Sequence, residues 1–258
     1  MTQRKKAWYI IGGSVAFLVS ILILSKGAGP KPICDPLVKT KTVIVIDHSE
    51  TVATQTLEAI VERAWRHIEE KAMPGELVTV YDITKQSKTH LQPSFEGCKP
   101  RKDGSQYTEN VKKVKLDFEN FKKKLREELS APIKDTKGPV ESPIAQALID
   151  LSLDDKHFRS SEGTKLLVFS DFYEYTHTPE FSLYRCVDAK QGIQQFRQSK
   201  TGSMERPTFK NVEVEMHIIP RLNVSKTSLQ CRSAFWNWFF GDMTCKSGTC
   251  LSPDYLPG

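Results

Sequence analysis

The chain has 258 residues, of which 39% are hydrophobic and 26% charged. That balance suits one full-sized globular domain and excludes a polytopic membrane protein, a collagen-like chain and a wholly disordered one. The formal net charge of +6 invites a nucleic-acid reading, and six cysteines invite either a metal site or disulfides. Where the charges and thiols sit decides between these readings.

Residues 8–25, WYIIGGSVAFLVSILILS, hold no charge over eighteen positions. As a helix they rise about 27 Å, enough to cross a hydrocarbon core of roughly 30 Å. Arg4, Lys5 and Lys6 precede the stretch and Lys26 follows it, which favours a cytoplasmic amino terminus with the rest of the chain outside. A cleaved signal peptide is the alternative, but its apolar region is usually shorter, and no A-x-A site follows. Residues 1–26 are thus expected to be a short stub and a single transmembrane anchor. The four cations of this region carry +4, which leaves +2 on the other residues. Most of the basic balance is therefore a topology signal, and nucleic acid is not an expected partner.

All six cysteines (Cys34, Cys98, Cys186, Cys231, Cys245 and Cys250) follow the apolar stretch. An even count outside the membrane points to disulfides, and no pair has the C-x2-C spacing of a zinc site. Cys245 and Cys250 bracket a short turn, KSGT, and are expected to pair. The remaining four allow three pairings, among which the sequence does not choose.

Residues 27–41, rich in Pro, Gly and Lys, read as a linker. Thr42–Ile46 is β-branched and apolar on both faces, the pattern of a buried parallel strand. A helix follows, with Ala53, Leu57, Ile60, Ala64 and Ile68 at helical spacing, and Pro74-Gly75 stop it. Leu77–Ile83 is a second strand, with Thr89–Phe95 expected to form a hairpin with it. Val111, Val114, Phe118, Phe121 and Leu125 mark an amphipathic helix whose outer face carries seven cations between Lys112 and Arg126, mixed with Asp117, Glu119, Glu127 and Glu128 as on an ordinary solvated face. A short helix runs from Ser142-Pro143 to Leu153, and a strand over Lys165–Phe169. A helix is expected near 180–198, a strand over Val212–Ile219, and a last, aromatic helix over Val224–Phe240. Strands alternating with helices predict an α/β fold: a doubly wound, mostly parallel sheet flanked by helices over residues 42–240. Residues 241–258 read as a disulfide-tied tail.

Ligands of such sheets bind beyond the carboxyl ends of the strands. The first strand ends in Asp47-x-Ser49-x-Thr51, and a later apolar strand ends at Ser170-Asp171. A carboxylate and two hydroxyls at alternate positions suit a hard cation such as Mg²⁺, which prefers oxygen ligands. Ser142 and Asp171 are placed to complete the shell from two other loops. All three hydroxyl residues are also suited to cap helices.

These residues resemble the metal-ion-dependent adhesion site of a von Willebrand factor A (vWA) domain, whose pattern is D-x-S-x-S, a distant Thr and an Asp followed by Gly. Asp47 and Ser49 match the first two positions. Thr51 stands for the second Ser, Ser142 for the distant Thr and Asp171 for the last acid, while Phe172 replaces the usual Gly. The resemblance spans about residues 40–240 and includes an aromatic last helix, FWNWFF, of a kind seen in bacterial members. It implies a Rossmann-like vWA fold and binding of a protein partner's Asp or Glu through a divalent cation. Together with the anchor, it implies a single-pass protein of the inner membrane with a periplasmic domain, serving an envelope-associated assembly.

An enzyme is not expected. The chain lacks G-x-S-x-G, G-x-G-x-x-G, a P-loop, H-x3-H and C-x-x-C. The alternatives are a Mg²⁺-dependent phosphoesterase using Asp47 and Asp171, and a membrane-surface or nucleic-acid binder using the helix Lys112–Arg126.

Overall fold

A computed structural model describes residues 34–47, 52–83, 91–104, 110–131, 141–153, 158, 163–177, 180–200, 204–207, 211–241 and 251–257. In chain order these form β1 (Thr40–Ile46), α1 (Thr54–Lys71), β2 (Leu77–Asp82), β3 (Phe95–Cys98), α2 (Val111–Leu129), α3 (Ile144–Ser152), β4 (Gly163–Ser170), β5 (Tyr175–His177), β6 (Glu180–Ser182), α4 (Ala189–Ser199), β7 (Val212–Ile218), α5 (Lys226–Phe240) and β8 (Leu251–Tyr255). The expected α/β class is the observed one. Six strands lie in the order β3-β2-β1-β4-β7-β8. Neighbours are parallel throughout, except that β3 runs antiparallel to β2. The chain leaves β1 toward β2 and returns to the other side of β1 as β4. The β1/β4 boundary is therefore the switch point of a doubly wound sheet, where such folds open a crevice.

The apolar run of β1 is explained by layers on both faces. Val43 and Val45 pack with Leu166, Val168, Val214 and residues of α3, α4 and α5. Ile44 and Ile46 point the other way, to Val80, Leu167, Phe169 and the inner faces of α1 and α2. All four β1 side chains are at most 1% exposed, and burying each stabilises the fold by about 1.5–3 kcal/mol. The last helix contributes an aromatic cluster, with Phe235, Trp236, Phe239 and Phe240 all buried.

Helix α1 ends where expected, and its end is held from outside. The buried ammonium of Lys99 donates to the carbonyls of Ile68, Glu69 and Ala72 at 2.7, 3.0 and 2.7 Å. It thereby satisfies acceptors that the helix leaves unpaired. Gly75 follows in the left-handed region (φ 84°), and a Cβ there would lie 2.6 Å from Asp35 Cβ. That close approach lets Asp35 N donate to Gly75 O at 3.3 Å. The end of the expected linker thus packs on the domain.

Three elements differ from the sequence reading. The hairpin partner of β2 begins at Phe95 rather than ending there, with Leu77 opposite Cys98 and Val80 opposite Phe95. Pro93 has no N–H to give a ladder, so pairing starts just after it. The segment expected to open a helix near 180 instead forms the β5–β6 hairpin and a 3₁₀ turn at Leu183–Arg185. Helix α4 starts only after Asp188, whose carboxylate accepts from the N–H groups of Lys190 and Gln191 as an N-cap.

The third difference is in the tail, where Leu251–Tyr255 pairs in parallel with β7 as the sixth strand. Leu256 is buried among the residues facing α1, and Thr56 Oγ1 donates to Pro257 O at 2.9 Å. Arg63 Nη1 meets Asp254 Oδ2 at 2.8 Å, and His217 Nδ1 lies 3.3 Å from the same oxygen.

Two disulfides join Cys34 to Cys98 and Cys186 to Cys231. They make one choice among the three open pairings and mark a chain that matures in an oxidising, extracytoplasmic compartment. Cys245 and Cys250 lie outside the described residues, as does the apolar segment 8–25. Among the described residues no helix is long and apolar enough to cross a membrane.

Candidate functional site

The site grows from the parallel register of β1 and β4, which sets Ile46 beside Phe169. Asp47 N continues the ladder by donating to Phe169 O at 2.9 Å, so Asp47 and Ser170 emerge side by side at the switch point. Ser170 Oγ donates to Asp47 Oδ2 at 2.9 Å, and Ser142 Oγ donates to the same oxygen at 2.7 Å. Asp47, Ser142 and Ser170 are all buried. A buried carboxylate needs such donors, because without them its desolvation is uncompensated.

Ser142 does not cap α3. The N-cap position belongs to Pro143 and has no side-chain cap. Ser142 instead exchanges both backbone hydrogen bonds with Tyr175, at 2.8 and 3.0 Å, which ties the loop before α3 to the chain beyond β4. The first turn of α3 is capped from afar by Glu174, whose Oε2 accepts from Ala145 N at 2.7 Å. Glu174 is buried, and its Oε1 has no hydrogen-bond partner among the described residues. Burial pushes its carboxyl up to about 8, with Asp47 adding to the rise and the Ala145 N–H and the Lys200 charge opposing it.

A pH dependence follows from this carboxyl. Because its pKa is raised on folding, Glu174 contributes stability that is complete below its ordinary value near 4.5 and fades as pH rises through about 8. Glu174→Gln keeps the acceptor and removes the titration. Between pH 5 and 9 the variant is expected to show a flatter melting-temperature profile, and at pH 9 a higher melting temperature than the parent. Superimposable profiles would show that this carboxyl does not set the dependence.

Asp171 follows Ser170 and is held at three points. Its Oδ1 accepts from Tyr173 N at 2.9 Å, its Oδ2 from Arg221 Nη1 at 2.6 Å and its main-chain O from Arg232 Nη1 at 2.9 Å. The guanidinium of Arg221 also lies over the rings of Tyr184 (4.9 Å) and Tyr173 (5.8 Å). Phe172 occupies the position where the vWA pattern has Gly, and it keeps a glycine-like backbone with φ 58°. Its side chain is fully buried edge-on to Trp236, and its carbonyl accepts from Trp236 Nε1 at 2.8 Å. Ser170 Oγ accepts from Phe172 N at 2.8 Å, which closes the turn.

Of the five expected ligands, the structure brings Asp47 and Ser142 into direct contact and sets Asp171 one residue beyond Ser170. Ser49 and Thr51 lie outside the described residues. Ser170, Glu174, Arg221 and Arg232 were not singled out from the sequence. Ser170 had a signal, a hydroxyl beside the acid at the strand end, whereas the two arginines are neighbours only through the fold.

The donor set, carboxylates and hydroxyls, is chemically suited to a hard cation. In the structure Asp47 Oδ2 is taken up by the Ser142 and Ser170 hydroxyls, and Asp171 Oδ2 by the Arg221 guanidinium. Among the described residues no group of three or more His, Cys, Asp or Glu side chains is arranged to hold a metal ion. The cations of α2 are partly engaged: Arg126 Nη2 pairs with Glu62 at 2.8 Å, and Lys122 lies over the Trp65 ring at 5.1 Å. No protein-family model matches the chain, and no curated protein sequence matches it.

Proposed function

We propose that the chain is a vWA-like protein-binding module, anchored in the inner membrane by residues 8–25 with its domain on the periplasmic side. It captures an acidic side chain of a partner in an envelope-associated assembly. The observation that carries this reading is the convergence of Asp47 and Ser142 from separate loops at the switch point, with Asp171 on the adjoining strand end. That crevice is where doubly wound sheets bind ligands. Asp47, Ser49, Thr51, Ser142 and Asp171 are the residues that would hold a divalent cation such as Mg²⁺. A bound cation supplies an open coordination position for a partner carboxylate. The chain's own part is to fix Asp47 through two hydroxyl donors and to present the Asp171 loop on a rigid aromatic base.

The test is crosslinking of the full chain in its native membranes with Mg²⁺ or with a chelator. Asp47→Asn keeps the side-chain volume and is expected to lower the Mg²⁺-dependent crosslinked species by roughly tenfold or more, about the loss of one charge-assisted contact. Equal crosslinking by parent and Asp47→Asn, with the fold intact, would overturn the reading.

A further inference from the structure

We propose that the amino edge of the sheet, where Leu37 and Met73 project from two packed turns, rests on the headgroups of an anionic bilayer. This surface lies at the opposite end of the strands from Asp47 and Asp171. It rests on the reading of residues 8–25 as a membrane anchor and is independent of the cation reading.

The two turns form one braced knob. Val38 N donates to Asp35 O at 3.0 Å, closing a turn with Pro36 and Leu37 at its tip. Glu76 N donates to Met73 O at 3.0 Å, closing a second with Pro74 and Gly75 at its tip. Asp35 N donates to Gly75 O at 3.3 Å, Gly75 N donates to Lys99 O at 2.7 Å, and Cys34 is bonded to Cys98. The place after the proline of such a turn usually takes Gly, Asn or Asp. Leu37 holds it here and is 86% exposed, while Met73 beside it is 45% exposed.

Basic side chains flank this apolar pair. Arg126 pairs with Glu62 and Lys122 lies over Trp65, so α2 runs antiparallel to α1 and starts level with the last turn of α1. Its first turn exposes Lys112 and Lys113, and Leu116, 59% exposed, stands one turn above them. Lys39, Arg101 and Lys102 are exposed on the segments of the knob, with Lys102 meeting Glu69 at 2.8 Å. Asp35, Glu70 and Asp103 are the acids interspersed among them. Apolar side chains set among cations are the pattern that binds an anionic membrane surface. The length of the chain names the same occupant. Eight residues, 26–33, separate the apolar stretch from Cys34, and they reach at most about 29 Å. An anchored chain therefore keeps Cys34, and the knob bonded to it, within reach of the headgroups.

The experiment places the full chain in nanodiscs of phosphatidylcholine and phosphatidylglycerol, with acyl chains brominated or plain. Trp8→Phe serves as the reference, so that the apolar stretch carries no tryptophan, and Leu37→Trp is added to it. Bromination is expected to quench roughly half of the added emission, because an aromatic ring at this edge sits in the membrane interface. Met73→Trp repeats the measurement at the second turn. Tyr255→Trp, at the carboxyl edge and 63% exposed in the parent residue, should show no quenching. Lys112→Glu with Lys113→Glu should restore the emission of Leu37→Trp, as should high salt; acids favour the first turn of a helix, so the fold is kept. Quenching that is as strong in discs of phosphatidylcholine alone would overturn the recognition of anionic headgroups. Equal emission of Leu37→Trp in brominated and plain discs, with the chain inside the discs, would overturn the inference and leave the anchor reading standing. A chain that stays out of the discs would overturn both.

Discussion

Replacing Cys186 and Cys231 together by alanine is expected to lower the unfolding free energy by about 4 kcal/mol, because the crosslink restricts a loop of 45 residues in the unfolded chain. Cys34→Ala with Cys98→Ala is expected to cost a similar amount, about 4 kcal/mol, for its separation of 64. The two pairs differ in what they hold. Cys34–Cys98 fastens the segment before β1 to the edge strand β3, away from the switch point. Cys186–Cys231 fastens the connection before α4 to α5, the helix that carries Arg232 and Trp236 and so supports the Asp171 loop. Loss of the second pair should therefore raise amide exchange at Asp171–Tyr173, whereas loss of the first should leave it unchanged.

Gly192 offers an independent check on the same crosslink. A Cβ there would sit 2.7 Å from Cys186 Sγ, and a bonded sulfur cannot swing aside. Gly192→Ala is expected to destabilise the oxidised chain by about 1–3 kcal/mol and to cost less once the crosslink is removed. Urea unfolding with and without reductant measures all of these. A loss below about 1 kcal/mol for the 186–231 pair would show that the crosslink does not restrain the unfolded chain as the loop-closure account requires.

The parts of the fold that were legible in the sequence are those with strong periodicity. The β1 run TVIVI reads as a strand buried on both faces, and the structure buries it between two helix layers. The spacing of Phe118, Phe121 and Leu125 gives α2 its inner face, and all three are buried. Asp47 and Asp171 were legible as strand-end residues at the carboxyl edge once a doubly wound sheet was inferred.

What the sequence did not display depends on long-range register. Arg221 meets Asp171 because β4 and β7 are parallel and in step, Ser170 opposite Ile218, and nothing local to Arg221 announces that. Glu174 caps α3 across 29 positions, so it leaves no capping box. The β8 segment contains Pro253, which argues against a central strand but is tolerated at the sheet edge where it lies. The disulfide pairing was open because spacing constrains loop length and not direction. Lys99 shows no sign in the sequence of being buried until α1 is placed above it.

Phe172 sets up a contest between backbone strain and packing. The vWA pattern has Gly at this position, and the backbone here keeps the left-handed conformation, φ 58°, which costs a side-chain-bearing residue roughly 1–2 kcal/mol. Against that stands a fully buried phenyl ring, 5.3 Å from the Trp236 centroid and nearly perpendicular to it. Emptying such a site costs about 3–5 kcal/mol, so packing outweighs strain. Phe172→Ala loses the ring and keeps the strain, and is expected to destabilise by about 3–5 kcal/mol. Phe172→Gly loses the ring and relieves the strain, so it should be less damaging by about 1 kcal/mol, although glycine also frees the unfolded chain. The expected order of stability is parent, then Gly, then Ala, the reverse of the usual ranking of Ala above Gly. In both variants the Trp236 Nε1 bond to the residue 172 carbonyl can persist, because it is made to the main chain. The Asp171 carboxylate should then keep its place, and the defect should appear in stability more than in cation binding. Denaturant unfolding of the three proteins reads the order directly, and alanine ranking above glycine would show that strain at this turn does not decide the outcome.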